Sequence, residues 1–168
     1  MAAPRKIEGY IGGSKMRETE LQAWIEQVPR TPCTVLEIGT YAGVSSAVVC
    51  EERPNCMMLC LDISPAYKEW RKNKRRNQKL FVGTSWDLLS IVGEERFDLI
   101  FVDGDHSYSG VFDDLEASKK LIKPLGTIMG HDYSRTLDTV QRAVQDWTRR
   151  EGTSYTVLAG SVYKIDGV

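Results

Sequence analysis

Long apolar runs are missing from this sequence. The apolar stretches are short, and residues 97–102, for example, are apolar only apart from Asp98, whereas a membrane-spanning helix needs roughly 20 apolar residues. Residues 1–8 carry two basic side chains, but no apolar segment follows them, so the pattern is not that of a signal peptide. We therefore expect a cytoplasmic protein that has no contact with a membrane.

Charge of one sign is not in excess either. The 168 residues include 22 Lys and Arg and 23 Asp and Glu, a net charge of −1, so no global field draws the chain to nucleic acid. A local basic run consists of Lys68, Arg71, Lys72, Lys74, Arg75, Arg76 and Lys79. Aromatic residues for base stacking are sparse around it. We interpret the run as a solvated helix face, and we do not expect nucleic acid as a partner.

Paired cysteines are also missing. The chain has four cysteines, which are Cys33, Cys50, Cys56 and Cys60. They form no Cys-x-x-Cys pair and no zinc-ligand spacing. Each lies in or beside an apolar stretch, where a thiol behaves as a small hydrophobic group. We expect four reduced, structural cysteines.

What the sequence does contain is a regular alternation of strand and helix patterns. Its length predicts one domain over residues 1–168, with a flexible lead-in at 1–13 and a helix that Ser14 caps and that runs to about Val28. Strands are predicted at 33–38, 56–61, 80–82, 97–102, 126–129, 155–158 and 162–165. Helices are predicted at 44–52, 66–74, just after 82, at 108–122 and around 140–147.

This alternation predicts an α/β fold: a Rossmann-like, doubly wound, mostly parallel sheet of seven strands with helices on both faces. The last two strands are separated by a short turn, which predicts a C-terminal antiparallel hairpin. In such sheets a ligand binds at the carboxyl ends of the strands, where the strand order reverses. Candidate functional residues are therefore sought at the strand ends.

The first predicted strand ends in a glycine turn, Glu-Ile-Gly-Thr-Tyr-Ala-Gly at 37–43. Gly39 and Gly43 permit tight backbone geometry and close approach of a ligand. A dinucleotide fingerprint has a middle glycine where this turn has Tyr41, so a pyrophosphate is disfavoured. Glu37 would repel phosphate, but it could accept a hydrogen bond from an ammonium group. The turn therefore predicts a ligand without phosphates.

Two further strand ends complete the predicted cofactor site. Asp62 ends the second strand, where a carboxylate can accept hydrogen bonds from a ribose diol; alternatively it caps the next helix together with Ser64. Gly83 and Ser85 follow the third strand, where a backbone amide or a hydroxyl could meet an adenine edge. A loop of ordinary turn residues would look the same.

Ionisable residues gather after the fourth and fifth strands. Asp103, Asp105 and His106 follow the fourth strand, and His131 and Asp132 follow the fifth; the chain has no other histidine. Carboxylates suit Mg²⁺, which would lower the pKa of an acceptor hydroxyl. Alternatively, a histidine could take the proton directly. A third interpretation is that the carboxylates cap helices and the histidines are structural.

The segments VLEIGTYAGVSS at 35–46 and FDLIFVDGDHSYSGVFDDLEASKKLIKPLGTIMGHDY at 97–133 resemble the small class I S-adenosylmethionine-dependent methyltransferases. The resemblance is to the macrolide and sugar O-methyltransferases and the cephalosporin-hydroxylase-like proteins, and it covers about residues 7–166. It implies cofactor contacts at Glu37, Gly39, Tyr41 and Asp62. The further candidates for cofactor contacts are Gly43, Ser45, Gly83, Ser85 and Asp103. It implies metal ligands at Asp103 and at the pair His131 and Asp132, where His replaces the first acidic member. The catalytic candidates are Asp103, His106 and His131.

The resemblance implies an S-adenosylmethionine-dependent methyltransferase that acts on the hydroxyl of a small molecule or a sugar. No long insertion covers the acceptor side, so we expect residues 7–16 or a second subunit of a homodimer to close it. One alternative is a non-catalytic module that binds S-adenosylmethionine or S-adenosylhomocysteine. A nicotinamide-linked oxidoreductase is another, which Tyr41 disfavours.

Overall fold

The computed structural model describes residues 16–134 and 138–167. The predicted lead-in at 1–13 and the capping residue Ser14 lie outside this part of the chain. The helices are α1 (Glu18–Gln27), α2 (Val44–Glu52), α3 (Tyr67–Asn73), α4 (Ser85–Val92), α5 (Tyr108–Leu121) and α6 (Asp138–Glu151). The strands are β1 (Cys33–Ile38), β2 (Cys56–Asp62), β3 (Gln78–Val82), β4 (Phe97–Val102), β5 (Ile122–Gly130), β6 (Ser154–Ala159) and β7 (Val162–Asp166).

The seven strands form one sheet in the order β3-β2-β1-β4-β5-β7-β6. The five strands from β3 to β5 pair in parallel, and β7 runs antiparallel to both β5 and β6. The predicted doubly wound sheet with a C-terminal antiparallel hairpin is therefore confirmed. The strand order reverses between β1 and β4, which opens a crevice at their carboxyl ends.

Both faces of the sheet are covered, because neighbouring residues of the central strands point to opposite sides. Leu36 and Ile100 pack on one face with α4, α5 and α6. Val35 and Phe101 pack on the other face with α1 and α2. There the ring of Trp24 stacks on Phe101 with the centroids 3.9 Å apart. Burial on both faces explains why β4 is almost wholly apolar.

The starts of β5 and α1 differ from those predicted by several residues. β5 begins at Ile122 rather than at 126, and its register against β4 shifts between Phe97 and Leu99. The extra residues bulge outward, and Leu125 is 98% exposed at φ +67°. α1 begins at Glu18 with Arg17 in the N-cap position, three residues later than the predicted cap. None of the helices in the described ranges is long and apolar enough to cross a membrane.

Candidate functional site

The glycine turn after β1 is packed too closely for side chains at two of its positions. Gly39 has φ +92°, and a Cβ atom there would overlap the backbone carbonyl of Asp103. Gly43 has φ +69°, and its Cβ would lie 2.6 Å from the ring of Trp70 on α3. Tyr41, at φ +46°, is 65% exposed. The two glycines let the turn pack closely against Asp103 and Trp70, and the Tyr41 side chain is mostly exposed.

Asp62, at the end of β2, helps to hold this turn. Its Oδ2 atom accepts the backbone N–H of Tyr41 at 2.7 Å, and its Oδ1 atom accepts that of Ser64 at 2.7 Å. The same carboxylate lines the main cleft. Because a carboxylate oxygen has more than one lone pair, Asp62 can still accept hydrogen bonds from a ribose diol. The capping role and the ligand role are compatible.

The main cleft lies at the carboxyl ends of β1, β2 and β4 and has a volume of about 610 Å³. Small-molecule sites usually have roughly 300–1,000 Å³. Five of the predicted cofactor residues line it, which are Gly39, Tyr41, Asp62, Ser85 and Asp103. Ile63 and Trp86 line it as well, and they are 72% and 43% exposed. This apolar pair was missed from the sequence, although an apolar residue directly after a strand-ending Asp is a usable signal.

Ser85, at the start of α4, does not present a free hydroxyl to the cleft. It is buried, and its hydroxyl donates to Oδ1 of Asp114 at 2.7 Å. Burial raises the pKa of Asp114 to about 6. A Cβ atom on Gly104 would lie 3.2 Å from the other oxygen of Asp114. Gly83 has a backbone role, since its N–H donates to the carbonyl of Asp62 at 3.1 Å.

Glu37 lies beneath the glycine turn. It is 1% exposed, and its Oε1 atom accepts the hydroxyl of Ser45 at 3.2 Å. Its Oε2 atom is buried without a hydrogen-bond partner. Burial raises the pKa of Glu37 to about 7, and the charge of Asp103 adds to this rise. This carboxyl group is therefore poised near neutral pH, with one acceptor oxygen unsatisfied.

A second cavity, which we call the polar cavity, adjoins the main cleft and has a volume of about 300 Å³. Ser45 and Met16 line one part of it, and Asp103, His106, His131 and Asp132 line another. Gly39, Tyr41 and Asp103 line both the polar cavity and the main cleft. The two spaces thus meet at the end of β4.

Four of the five ionisable residues predicted at this rim do come together. Nδ1 of His131 lies 3.5 Å from Oδ1 of Asp103 and 3.3 Å from Oδ2 of Asp132. Nε2 of His106 lies 2.9 Å from the same Asp132 oxygen, but it is buried and out of line for a hydrogen bond. Asp103, His131 and Asp132 offer donor atoms that all lie within 4.8 Å of one another. This arrangement could hold a cation.

The fifth residue, Asp105, has a different role. Its carboxylate accepts the backbone N–H of Ser107 at 2.9 Å and the hydroxyl of Ser107 at 2.7 Å. Ser107 in turn caps α5 through the N–H of Gly110. Asp105 therefore supports the start of a helix, which is the structural alternative that the sequence left open.

The carboxylates and imidazoles of the four clustered residues shift the pKa values of their neighbours. The neighbouring carboxylates of Asp103 and Asp132 raise the pKa of His106 to about 10. Burial opposes protonation of His131, but the same two carboxylates raise its pKa to about 10 as well. Burial also opposes ionisation of Asp132, but the two neighbouring imidazoles nevertheless lower its pKa. In the absence of a cation, the carboxylates thus favour the protonated form of both rings.

Glu20 on α1 joins this site from the far end of the chain. It is 4% exposed, and its Oε2 atom lies 3.2 Å from Nε2 of His131. Oε2 also accepts the N–H of Arg17 at 2.8 Å, and Oε1 accepts the N–H and the hydroxyl of Ser161 at 2.9 and 3.0 Å. Glu20 was missed from the sequence. It stands four residues before Trp24, so a charge within the apolar stripe of α1 was the available signal.

The fold and this paired cleft and cavity define a class I methyltransferase domain. Residues 36–133, more than half of the chain, match the methyltransferase domain family. The chain therefore belongs to that family, and the resemblance to the class I S-adenosylmethionine-dependent methyltransferases is confirmed.

Individual proteins show the same relationship. A curated protein of Mycobacterium sp. (strain JLS), provisionally named an O-methyltransferase, is 27% identical over 105 residues, which are 58% of this chain and 47% of that protein. The chain thus spans about half the length of this relative. The precorrin-6Y C5,15-methyltransferase of Geobacter metallireducens GS-15 has a TM-score of 0.74 and 18% identity, covering 95% of this chain and 93% of its own. The O-methyltransferase of Bacillus cereus, solved in complex with SAH, has a TM-score of 0.68 and 19% identity, covering 88% and 79%.

Proposed function

We propose that this domain transfers a methyl group from S-adenosylmethionine to a hydroxyl oxygen of a small molecule, with sugars among the candidate acceptors. The observation that carries the proposal is the position of Asp103, which lines both the main cleft and the polar cavity. A cofactor in the cleft and an acceptor in the cavity would meet at this residue. Methyl transfer needs such positioning above all.

The main cleft offers a suitable group to each part of the cofactor. The exposed side chains of Ile63 and Trp86 suit the adenine ring, and Asp62 suits the ribose hydroxyls. The backbone at Gly39 allows close approach, since no side chain covers it. Beneath the turn, Oε2 of Glu37 lacks a partner, and a methionine ammonium group is a donor that such a buried oxygen needs.

The polar cavity supplies the groups that would activate the acceptor. In the reaction the bond from sulfur to the methyl carbon breaks, a bond from that carbon to oxygen forms, and the hydroxyl proton leaves the acceptor. Two carboxylates and one imidazole within 4.8 Å fit a divalent cation, and Mg²⁺ is the ion predicted from the sequence. When bound by Asp103, His131 and Asp132, such an ion would lower the pKa of the hydroxyl. His106, beside them, would orient the acceptor and receive its proton once the cation compensates the charge of the carboxylates.

The names of the relatives support oxygen as the acceptor atom, since both the mycobacterial protein and the Bacillus cereus protein are named as O-methyltransferases. The SAH in the Bacillus cereus structure supports the cofactor. Met16 lines the polar cavity, which supports the prediction that the segment 7–16 borders the acceptor side.

Calorimetric titration with S-adenosylmethionine and with S-adenosylhomocysteine tests the cofactor, and transfer of a labelled methyl group to a panel of sugars and catechols tests the reaction. We expect binding of both compounds with one-to-one stoichiometry, and labelling of at least one hydroxyl acceptor. Binding without transfer to any acceptor would favour the non-catalytic binding module. Folded protein that binds neither compound would refute the proposal.

A further inference from the structure

Four hydrogen-bonding groups surround the buried carboxylate of Glu20. They belong to Arg17, His131 and Ser161, which lie in three separate parts of the chain. The backbone N–H groups of Arg17 and Ser161 can only donate, so each oxygen of Glu20 is fixed as an acceptor. Glu20 therefore acts as an acceptor through both of its oxygens in the folded protein.

This arrangement determines which nitrogen of His131 carries a hydrogen. Nε2 of His131 lies 3.2 Å from the accepting Oε2 of Glu20, so Nε2 must donate. The hydroxyl of Ser161 gives its own hydrogen to Glu20, and it can accept from Nε2, 3.2 Å away. Both neighbours thus require the hydrogen on Nε2. In the neutral ring the lone pair is then left on Nδ1, which faces Asp103 and Asp132.

We propose that Glu20 is a positioning residue that holds the Nδ1 atom of His131 towards Asp103 and Asp132, and that this makes the site select a divalent transition-metal ion over Mg²⁺. The inference rests on the proposed function, which it deepens by naming the class of ion. An imidazole that donates its other N–H to a carboxylate is the usual arrangement of a ligating histidine. A nitrogen donor suits Mn²⁺, Fe²⁺, Co²⁺ or Zn²⁺, whereas Mg²⁺ prefers oxygen ligands and water.

The test is a titration of the metal-free full chain with Co²⁺, followed by its visible absorption bands, with Mg²⁺ as competitor. We expect Co²⁺ to bind with one-to-one stoichiometry and a 100-fold excess of Mg²⁺ to leave the bands in place. Glu20→Gln should weaken Co²⁺ binding by about 10–100-fold. Glu26→Gln is the matched control, because Glu26 is exposed on the same helix and accepts a hydrogen bond from the exposed Gln22. This variant should bind Co²⁺ as tightly as the unchanged chain does.

A second pair of measurements keeps the test decisive if Glu20→Gln fails to fold. Ser161→Ala removes one neighbour of Nε2 and leaves Glu20 in place, so a smaller loss of about threefold in Co²⁺ affinity is expected. Nitrogen-15 NMR of the Zn²⁺-loaded chain should show the hydrogen on Nε2 of His131 and the metal on Nδ1. Metal coordination through Nε2 would overturn the proposal.

The proposal also fails if Glu20→Gln folds and binds Co²⁺ within twofold of the unchanged chain, or if Mg²⁺ displaces Co²⁺ at equal concentration. Calorimetry with S-adenosylmethionine on the same samples separates this failure from that of the proposed function. Cofactor binding and methyl transfer without Co²⁺ binding would leave the proposed function standing and refute the role of Glu20. Loss of cofactor binding by the unchanged chain would refute the proposed function itself.

Discussion

The main cleft and the polar cavity share a wall but are built in different ways. The cleft is formed by glycines and by exposed apolar side chains that follow directly after strands, such as Ile63 after β2. The polar cavity is lined by buried and half-buried ionisable side chains, and one of them, His131, is contacted by Glu20 across 111 residues of sequence. The main cleft, which we call the cofactor side, is therefore formed by residues that are close in sequence. The polar cavity, which we call the reactive side, depends on contacts between distant parts of the chain. Substitutions that affect one side alone can test this division.

The largest effect is expected from Gly39→Ala, which affects both sides. The added Cβ would overlap the backbone carbonyl of Asp103, and φ +92° is unfavourable for alanine. Overpacking together with backbone strain should cost about 3 kcal/mol or more, and binding of S-adenosylmethionine should be lost. Urea denaturation and calorimetry measure the two effects. Gly152→Ala is the control, because it also has positive φ but has nothing within 4 Å of its Cβ; equal losses in both variants would contradict this explanation.

Asp132→Asn should affect the reactive side alone. Asp132 lines the polar cavity but is not part of the cleft lining, and asparagine tolerates its φ of +60° better than most residues. We expect methyl transfer to fall by about 100-fold or more, with cofactor affinity unchanged within about threefold. Asp113→Asn, at the exposed edge of the cleft, is the control and should retain its turnover. An equal loss of cofactor affinity and turnover in Asp132→Asn would show that the two sides are not separable.

Trp86→Ala should affect the cofactor side alone. Stacking of a base on an aromatic ring contributes about 1–3 kcal/mol, so we expect the dissociation constant for S-adenosylmethionine to rise about tenfold while turnover at saturation changes little. Ile91→Ala, which removes an exposed apolar side chain of the same helix outside the lining of the cleft, should leave binding unchanged. If both variants bind the cofactor normally, Trp86 is not part of the adenine site.

The smallest effect is expected from Asp114→Asn, and it depends on pH. Because the pKa of Asp114 rises from 3.8 to about 6 on folding, the folded state retains a proton that the unfolded chain has lost. The unchanged protein therefore becomes less stable as the pH rises from about 4 to about 6. The variant should be more stable above pH 6, by about 1 kcal/mol once the free energy of the pKa shift is discounted for the partial exposure of Asp114, and equal to the unchanged chain below pH 4. Urea denaturation above pH 6 and below pH 4 measures this difference. If the variant is also more stable at pH 4, its higher stability comes from packing and not from the ionisation of Asp114.

The sequence predicted the architecture well, because apolar periodicity and turn residues act locally. The parallel strands, the closing hairpin and the glycine turn followed from such patterns. One ambiguity could not be resolved from such local patterns. Asp105 and Asp132 look alike as polar residues after strands, and only the packed structure shows that Asp105 supports α5 whereas Asp132 meets His106. The predicted cytoplasmic location, the homodimer, the Mg²⁺ and the role of each site residue stay predictions.

The contacts of Glu20 also have a consequence for how the domain opens. This carboxylate joins α1 to the turn between β6 and β7, 141 residues away, and closing so long a loop costs entropy before any contact is gained. We expect α1 and the C-terminal hairpin to detach early when the domain loosens, before the central strands separate. Amide hydrogen exchange would then show this pair opening together, and the imidazole would lose its anchor while the crevice between β1 and β4 kept its shape.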